Sequence, residues 1–292
     1  IIHEPDEINI SSDCVTVKYN FSNDSIFRKK VQEMVLWDGE NAKDTISKKF
    51  NIPVENIVMI NSVTDYVDFV SSLEESAYVS RGQRDCTYEL LPSLHRIYDN
   101  DYSSHAEQLE SAFKQKVMYY DKTLEQKDQE EIRAYAQHFG LPTNYLDFTE
   151  AHLISLLFAV EDFEYTKNHS IVYFVDALSY NRNVIKEEIK LVDFSDKNLK
   201  KTKEDKYRDK SYFIKVGNSN ERIHFQKGCF LKVEPYDKLS KMFEEYMKVA
   251  IINKECKEQI LRELFKLGIT FENIYPDRDN MVKTIKFMKN NM

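Results

Sequence analysis

The sequence predicts an α+β protein with a mixed or split, mostly antiparallel sheet and flanking helices. Apolar residues recur at helical spacing in several segments, while other segments are β-branched and aromatic runs typical of strands. These two kinds of segment do not alternate regularly, as they would in a parallel βαβ fold. The 292 residues, of which 42% are hydrophobic and 31% charged, suffice for one large or two modest soluble domains.

The N-terminal part of the chain predicts a mixture of strands and helices. Residues 14–19 alternate apolar and polar side chains, which is the period of a half-buried strand. Ser62 and Asp65 form a capping-box pattern at the start of a helix over residues 63–75. The other elements predicted here are a helix from residue 24 to Gly39, a short helix that ends near Phe50, and a short buried strand over residues 77–79.

The rest of the chain continues this mixture. Residues 151–163 are apolar nearly all round, which predicts a buried core helix. Further helices are predicted from Ser104, with Leu109, Phe113, Val117 and Tyr120 on one face, over residues 127–139 before Gly140, and after Tyr236. Strands are predicted over residues 170–178, 212–216, 222–225 and 229–233, the last two joined as a hairpin by Gln226, Lys227 and Gly228.

Composition excludes several classes of function. Lys and Arg number 41 against 49 Asp and Glu, so the net charge of −8 repels polyanions, and any nucleic-acid contact needs a local patch. No apolar run approaches the ~20 residues of a membrane-spanning helix, and no Gly-rich phosphate loop, HExxH motif or Ser/His/Asp spacing is present. We expect no metal site. Four scattered cysteines indicate a reducing, cytoplasmic location rather than disulfides: Cys14, Cys86, Cys229 and Cys256.

Arg81 is followed at once by Gly82 at the end of a predicted strand. The arginine offers a permanent cation with five donors, and the glycine would let backbone approach a ligand at a sheet edge. Such a site suits a phosphate or pyrophosphate. Arg81 could instead form a buried ion pair with Asp85 or Asp147. Arg96 is a candidate second phosphate cation, with a surface or structural role as the alternative.

A second segment, residues 137–149, is crowded with hydrogen-bonding side chains between two predicted helices. Buried polar groups must be paired within the protein or must serve a ligand. His138 could act as an acid or base, or could cap the helix that it ends. Asp147 and Thr149 could cap the helix near Ala151, but capping would explain only one of the polar residues.

Three motifs taken in order resemble the FRG domain family. They are Tyr78-Val79-Ser80-Arg81-Gly82-Gln83, then Leu91-Pro92-Ser93-Leu94 with Arg96, then the run from Gln137 to Thr149 that leads into an apolar helix. Gln226-Lys227-Gly228-Cys229-Phe230 and the segment from Gly268 to Asp277 resemble later parts of the same family. The resemblance covers about residues 60–290. It implies an N-terminal extension or small subdomain over residues 1–60 and an FRG domain over residues 61–292.

A more distant similarity relates the same motif order to the ADP-ribosyltransferase fold. This similarity implies an ADP-ribosyltransferase-like core that uses NAD as its substrate, with Arg81 holding the dinucleotide phosphates. In that fold a Glu precedes a hairpin. Here Gln226 or Arg222 stands nearest this position, with Glu221 one residue away.

The resemblances therefore imply a set of site residues. The candidate catalytic residues are Arg81, His138, Asp147 and Gln226, and the candidate NAD-binding residues are Arg81, Gln83, Arg96, Thr143, Tyr145 and Thr149. Tyr145 or Phe148 could stack on the nicotinamide ring. The residues expected to converge on one pocket are Arg81, His138, Thr143 and Asp147.

The expected function is that of an NAD-using ADP-ribosyltransferase-like or NAD-glycohydrolase-like enzyme that acts as a toxin or phage-defence effector. The alternative is a non-catalytic module that binds a nucleotide or a nucleic-acid end. The expected partners are NAD or a related nucleotide, a target macromolecule that is nucleic acid or protein, and an antitoxin, with no membrane. Release of nicotinamide from NAD would separate the enzyme from the binding module.

Overall fold

The computed structural model describes residues 7–10, 15–18, 42–73, 77–98, 102–194, 206–207, 209–217 and 221–292. Its strands are β1 (Glu7–Ile10), β2 (Val15–Lys18), β3 (Ile57–Ile60), β4 (Tyr78–Gln83), β5 (Tyr145–Thr149), β6 (Ser170–Asp176), β7 (Val192–Asp193), β8 (Tyr212–Lys215), β9 (Gly228–Lys232) and β10 (Met247–Ile252). Its helices are α1 (Ala42–Phe50), α2 (Val63–Ser71), α3 (Ser93–Tyr98), α4 (Ser103–Tyr120), α5 (Gln129–His138), α6 (His152–Val160), α7 (Ala177–Ile185), α8 (Glu221–Phe225), α9 (Leu239–Met242), α10 (Lys257–Lys266), α11 (Phe271–Ile274) and α12 (Arg278–Asn291). Short 3₁₀ helices occupy Val54–Asn56, Lys122–Gln126 and Lys254–Cys256.

One large sheet organises the described part of the chain. Its eight strands follow the order β3-β10-β6-β4-β5-β9-β8-β7. Neighbouring strands are antiparallel, except that β3 runs parallel to β10 and β7 runs parallel to β8. β1 and β2 pair with each other in a separate two-stranded sheet. The predicted class, an α+β fold with a mostly antiparallel sheet and flanking helices, is confirmed.

Both faces of the large sheet are buried. Alternate residues of β6 enter different apolar clusters, with Tyr173 in one and Phe174 in the other. Helix α6, which is apolar nearly all round as predicted, packs with α10 in the cluster that contains Phe174. Coverage on both faces explains why β6 is a continuous apolar run rather than an alternating one.

Residues 42–60 pack on the same sheet. β3 pairs with β10, and α1 buries Ile46 and Phe50 in the apolar cluster that contains Tyr173. Between residues 1 and 41 the structure describes only β1 and β2, and the predicted helix from residue 24 to Gly39 lies outside the described residues. The predicted division into residues 1–60 and 61–292 stays a prediction.

The predicted strand and hairpin near Gln226 are wrong. Residues 222–225 belong to helix α8, so Gln226 lies in a turn between a helix and β9. A Cβ atom at Gly228 would lie 3.4 Å from Ile223 Cγ2, which shows how closely α8 packs on the start of β9. This packing overrides the strand preference of the Ile and Phe residues in so short a segment.

Two other segments also differ from the sequence predictions. Residues 145–149, interpreted from their polar side chains as a segment between helices, form β5 and pair with β9. On α4, Val117 is buried, but Tyr120 at the end of the predicted apolar face is 85% exposed. The reason is that α4 packs mainly on α5 and the following 3₁₀ helix rather than on the sheet.

Gly82 lies on an inner strand of the sheet, but it pairs only with β6, because β4 pairs with β5 at Ser80 alone and leaves a local edge beyond it. Its strand β4 is flanked by β6 and β5. A Cβ atom at Gly82 would lie 1.9 Å from the backbone oxygen of Ser155 and 2.9 Å from the backbone nitrogen of Ala159. The glycine is therefore required by the close approach of α6 to β4.

Replacing Gly82 with alanine should destabilise the protein strongly. The added methyl group would overlap main-chain atoms of α6, which cannot rotate away as a side chain could. We expect the free energy of unfolding to fall by at least about 2 kcal/mol, measured by urea unfolding with circular dichroism.

Gly268→Ala is the matched control for this substitution. Its φ of +80° is strained for alanine, but no atom lies within 4 Å of the new Cβ. The strain alone should cost about 1 kcal/mol. If Gly82→Ala costs no more than Gly268→Ala, the steric account is contradicted.

Candidate functional site

A cleft of about 790 Å³ opens beside the C-terminal half of β4. Its volume is within the range of ~300–1,000 Å³ that is typical of small-molecule sites. One wall comes from β4, α5, β5 and the turn after α8, and the other from the end of α6 and from the C-terminal helices α11 and α12. The cleft is lined by all four candidate catalytic residues: Arg81, His138, Asp147 and Gln226.

Arg81 reaches the cleft from β4 with 19% of its side chain exposed. Its Nη1 atom donates a hydrogen bond to the backbone oxygen of Asp147 at 2.8 Å and lies 3.7 Å from Asp147 Oδ2. Its Nε atom is buried and has no hydrogen-bond partner in the described structure. Burial lowers the pKa of Arg81, and the carboxylate of Asp147 opposes this shift. The guanidinium still carries its charge at neutral pH, since the ordinary pKa of arginine is above ~12.

Asp147 is held in place by hydrogen bonds that join the sequence motifs. Gln137 Nε2 donates to Asp147 Oδ1 at 2.6 Å, and Thr143 Oγ1 donates to Oε1 of the same glutamine. The backbone nitrogen of Thr143 donates in turn to Ser93 Oγ at 3.0 Å. Ser93, Thr143 and Gln137 therefore fix the carboxylate beside Arg81.

Asp147 does not cap the helix that follows it. It lies in the middle of β5, and 61% of its side chain is exposed. Thr149 does not cap it either, so the predicted cap is wrong: Ala151 is the N-cap residue and has no side-chain cap bond, and Thr149 Oγ1 accepts from the backbone nitrogen of Ala151 at 2.9 Å. The same hydroxyl donates to the backbone oxygen of Gln226 at 2.6 Å. Thr149 thus ties the start of α6 to the turn that carries Gln226.

The two aromatic residues of β5 are buried and do not line the cleft. Tyr145 is 2% exposed and Phe148 is 3% exposed. Tyr145 packs against Phe230 with ring centroids 5.2 Å apart, and Phe148 belongs to an apolar cluster of the core. This corrects the prediction that either ring stacks on nicotinamide. The cleft wall instead contains the partly exposed rings of Phe158 and Tyr275, whose centroids are 5.8 Å apart.

Three other candidate NAD-binding residues do not line the cleft, whereas Gln83 does. Thr143 and Thr149 are 0% and 2% exposed, so they act through neighbouring side chains and backbone rather than by touching a ligand. Arg96 is exposed on α3 and lies outside the cleft lining. Gln83 lines the cleft, and its Oε1 atom is buried with no partner among the described residues.

Gln226 links the two walls of the cleft. Its Nε2 atom donates to the backbone oxygen of Ile274 at 3.3 Å. The side chains of Glu221 and Arg222, the neighbouring candidates for the expected carboxylate position, lie outside the described residues. Asp147 is therefore the carboxylate that the structure brings into contact with Arg81.

His138 is the last residue of α5, and its ring lies 4.8 Å from that of Phe139. Gly140 follows with a φ of +84°, which confirms the predicted end of the helix. The position of His138 in the cleft wall allows contact with a bound ligand. Its role as an acid or base stays a prediction.

The sequence does not point to the opposite wall of the cleft. Phe158 lies on α6, which has the pattern of a core helix. Lys283 and Lys286 lie on α12, which has the pattern of an ordinary surface helix, and Tyr275 precedes it. The spacing of the two lysines, three residues apart, puts them on one helix face and is the signal that could have indicated this wall.

Residues 76–168 match the model of the FRG domain. This segment of the chain is therefore similar to the FRG domain. The FRG segment contains β4, β5 and α3 to α6, and so carries Arg81, His138 and Asp147, while Gln226 and the C-terminal wall lie beyond it. No curated protein and no solved structure matches this chain.

Two kinds of feature are absent from the described ranges of the chain. No group of three or more His, Cys, Asp and Glu side chains there could hold a metal ion. No helix there is both long and apolar enough to span a membrane. Cys86, Cys229 and Cys256 are free cysteines.

A polar cluster joins FRG strand β4 to helix α6. Ser80 Oγ and His152 Nδ1 are 2.8 Å apart, and Ser155 Oγ donates to Ser80 Oγ at 2.8 Å. Tyr66 OH donates to the backbone oxygen of His152 at 2.7 Å. Ser80 is 0% exposed, so its pair with His152 holds the strand to the helix rather than attacking a substrate.

This cluster should make folding sensitive to acid. The pKa of His152 is lowered from 6.5 to about 4, mainly by burial and in smaller part by the positive charge of Lys190. The unfolded chain therefore binds the proton first as the pH falls, and the free energy of unfolding decreases between about pH 6.5 and about pH 4.

His152→Gln tests this dependence. The substitution removes the titrating ring, so the free energy of unfolding should fall less between about pH 7 and about pH 4.5, measured by urea unfolding. His95, whose pKa burial also lowers to about 4, supplies part of what remains. A pH dependence identical to that of the wild type would contradict the assignment to His152.

Proposed function

We propose that this protein is an NAD-using enzyme, ADP-ribosyltransferase-like or NAD-glycohydrolase-like, that cleaves the bond between nicotinamide and ribose. The observation that carries the proposal is the contact between Arg81 and Asp147 in a cleft of about 790 Å³. One residue is a fixed cation with an unpartnered donor, and the other is an exposed carboxylate. A substrate with both a phosphate and a ribosyl group matches this pair.

In this proposal Arg81 binds the pyrophosphate of NAD. Its buried Nε atom lacks a partner in the described structure, and a phosphate oxygen supplies the missing acceptor. Its Nη1 atom is already bonded to the backbone of Asp147, which fixes the plane of the guanidinium. A planar and pre-oriented fork favours bidentate phosphate binding. Gln83 Oε1, also buried and unpartnered there, accepts a hydrogen bond from a ribose hydroxyl.

Asp147 stabilises the ribosyl group as the bond to nicotinamide breaks. The electron pair of that bond leaves with nicotinamide, so positive charge develops on the ribose. The carboxylate of Asp147, oriented by Gln137, supplies fixed negative charge beside it. Water or a nucleophile of the target macromolecule then bonds to the ribose carbon and loses a proton, for which His138 in the cleft wall is the candidate base.

One observation favours a second candidate, a module that binds a nucleotide or a nucleic-acid end without cleavage. Gln226 follows α8, at the position where the similarity to the ADP-ribosyltransferase fold leads us to expect a carboxylate. An amide can bond to a ribose hydroxyl, but it carries no charge to stabilise a developing cation. Catalysis therefore depends on Asp147 in the first candidate and is absent in the second.

Arg81→Lys should weaken the binding of ADP-ribose. Lysine keeps the charge but lacks the planar fork and the Nε donor, so we expect the affinity to fall about tenfold or more in isothermal titration calorimetry. Arg182→Lys is the matched control, because Arg182 forms an exposed ion pair with Glu188 away from the cleft. Wild-type affinity in the Arg81→Lys protein would refute the phosphate role.

Asp147→Asn separates catalysis from binding. The substitution keeps the shape and the acceptor for Gln137 but removes the charge, so nicotinamide release from NAD should fall by at least about 100-fold. Asp68→Asn, on the exposed surface of α2, is the matched control. Both variants should melt at the wild-type temperature within a few degrees.

The outcomes of this assay distinguish the two candidates. Full activity in a folded Asp147→Asn protein would remove Asp147 from the reaction. A wild-type protein that binds NAD and releases no nicotinamide would favour the binding module over the enzyme.

A further inference from the structure

The opposite wall of the cleft consists largely of residues beyond the FRG segment. Lys283 and Lys286 reach it from α12, and Tyr275 reaches it from the segment between α11 and α12. These three residues follow residue 168, where the FRG match ends. Together with Phe158 at the end of α6 they are here named the C-terminal wall.

The carboxylates near the C-terminal wall are mostly compensated by nearby cations. Asp162 Oδ2 lies 2.7 Å from Arg84 Nη1, and Glu161 Oε2 lies 4.0 Å from Lys283 Nζ. Glu164 is exposed to water, which screens its charge. An anionic ligand therefore does not meet a field dominated by negative charge at this wall.

Lys286 is the cation of this wall that remains available to a ligand. It is exposed, and no hydrogen bond or ion pair joins it to the part of the chain that the structure describes. It lies one helical turn after Lys283, on the same face of α12. An ammonium group in this setting suits a phosphate, since the charge is not already neutralised.

The same wall offers an aromatic surface. The rings of Phe158 and Tyr275 have centroids 5.8 Å apart and planes at 45°, and both side chains are partly exposed. Tyr275 OH donates to Glu161 Oε1 at 3.3 Å, which restrains the tyrosine ring. Partly exposed and restrained rings of this kind stack on planar bases.

We propose that the C-terminal wall binds the adenylate half of NAD. Phe158 and Tyr275 contact the adenine, and Lys286 contacts the adenylate phosphate. A planar base linked to a phosphate is the chemistry that a wall with two aromatic rings and an exposed ammonium group recognises. The assignment rests on the proposed function, because it extends the substrate from Arg81 and Asp147 to the other side of the cleft.

Two ligands test the two halves of the cleft separately. ADP-ribose contains the adenylate group, and nicotinamide mononucleotide lacks it. Lys286→Ala should weaken ADP-ribose about tenfold and leave nicotinamide mononucleotide unchanged in isothermal titration calorimetry. Lys289→Ala is the matched control, since this lysine is exposed on the same helix but does not line the cleft. The difference between the variants should shrink at high salt.

Tyr275 provides a second and independent test. Tyr275→Leu removes the ring and should weaken ADP-ribose, whereas Tyr275→Phe keeps the ring and should bind nearly as well as the wild type. Thermal melting of both variants reports whether they fold. If Tyr275→Leu does not fold, Lys286→Ala still decides the question, because that side chain is exposed.

The failures of the two proposals are distinguishable. If the wild type binds neither ligand, the proposed function and the C-terminal wall assignment both fail. If the wild type binds both ligands and Lys286→Ala binds ADP-ribose as well as the wild type does, the assignment fails while the proposed function stands. An equal loss for both ligands would also overturn the assignment, because Lys286 would then contact the nicotinamide half.

Discussion

The contact of strand β4 with helix α6 leaves no space for a side chain at Gly82, and the geometry of the cleft depends on this contact. A Cβ atom there would lie 1.9 Å from the backbone oxygen of Ser155. The backbones of β4 and α6 are in direct contact at this point. This close approach brings Phe158, at the end of α6, into the same cleft as Arg81. Gly82 therefore acts on the cleft through packing, and its neighbour Arg81 places its guanidinium in the cleft.

Four polar residues of the motifs are joined in one chain of hydrogen bonds. Ser93 bonds to Thr143, Thr143 to Gln137, and Gln137 to Asp147, which lies beside Arg81. Most of these side chains need not touch a ligand, since their role is to fix one carboxylate and one guanidinium. Burial disfavours the charge on Arg81, as the lowered pKa indicates, and a bound anion would offset this cost. The arrangement is therefore suited to a phosphate-bearing ligand.

The sequence predicts those parts of the fold in which a local pattern and burial agree. Helix α6 and strand β6 are mostly apolar, so the patterns of residues 151–163 and 170–178 predict both elements, although α6 ends at Val160 and β6 ends at Asp176. Strand β5 escapes prediction because Asp147 and its polar neighbours look like a loop until β9 pairs with them. The segment 222–225 is too short for its strand preference to decide its conformation. Packing on β9 makes it a helix instead.

The site is predictable to the extent that its residues lie in motifs. Arg81, His138 and Asp147 line one cleft, as the motif order implies. Thr143, which was expected with them, is buried and does not line the cleft. The stacking residues are not predictable in this way. Tyr145 lies on the same face of β5 as Asp147, but packing with Ala134 and Phe230 buries its ring. Tyr275 reaches the cleft from a segment far along the chain, so both placements depend on contacts distant in sequence.

In the proposed function, Arg81 and Asp147 form the binding site for the phosphate and ribose of NAD. A crystal structure of the protein with ADP-ribose tests this claim most directly. We expect a phosphate oxygen within ~3 Å of Arg81 Nε, now an unpartnered donor in the described structure, and the nicotinamide-side ribose beside Asp147. ADP-ribose bound outside this cleft, or bound within it with no phosphate contact to Arg81, would contradict the claim.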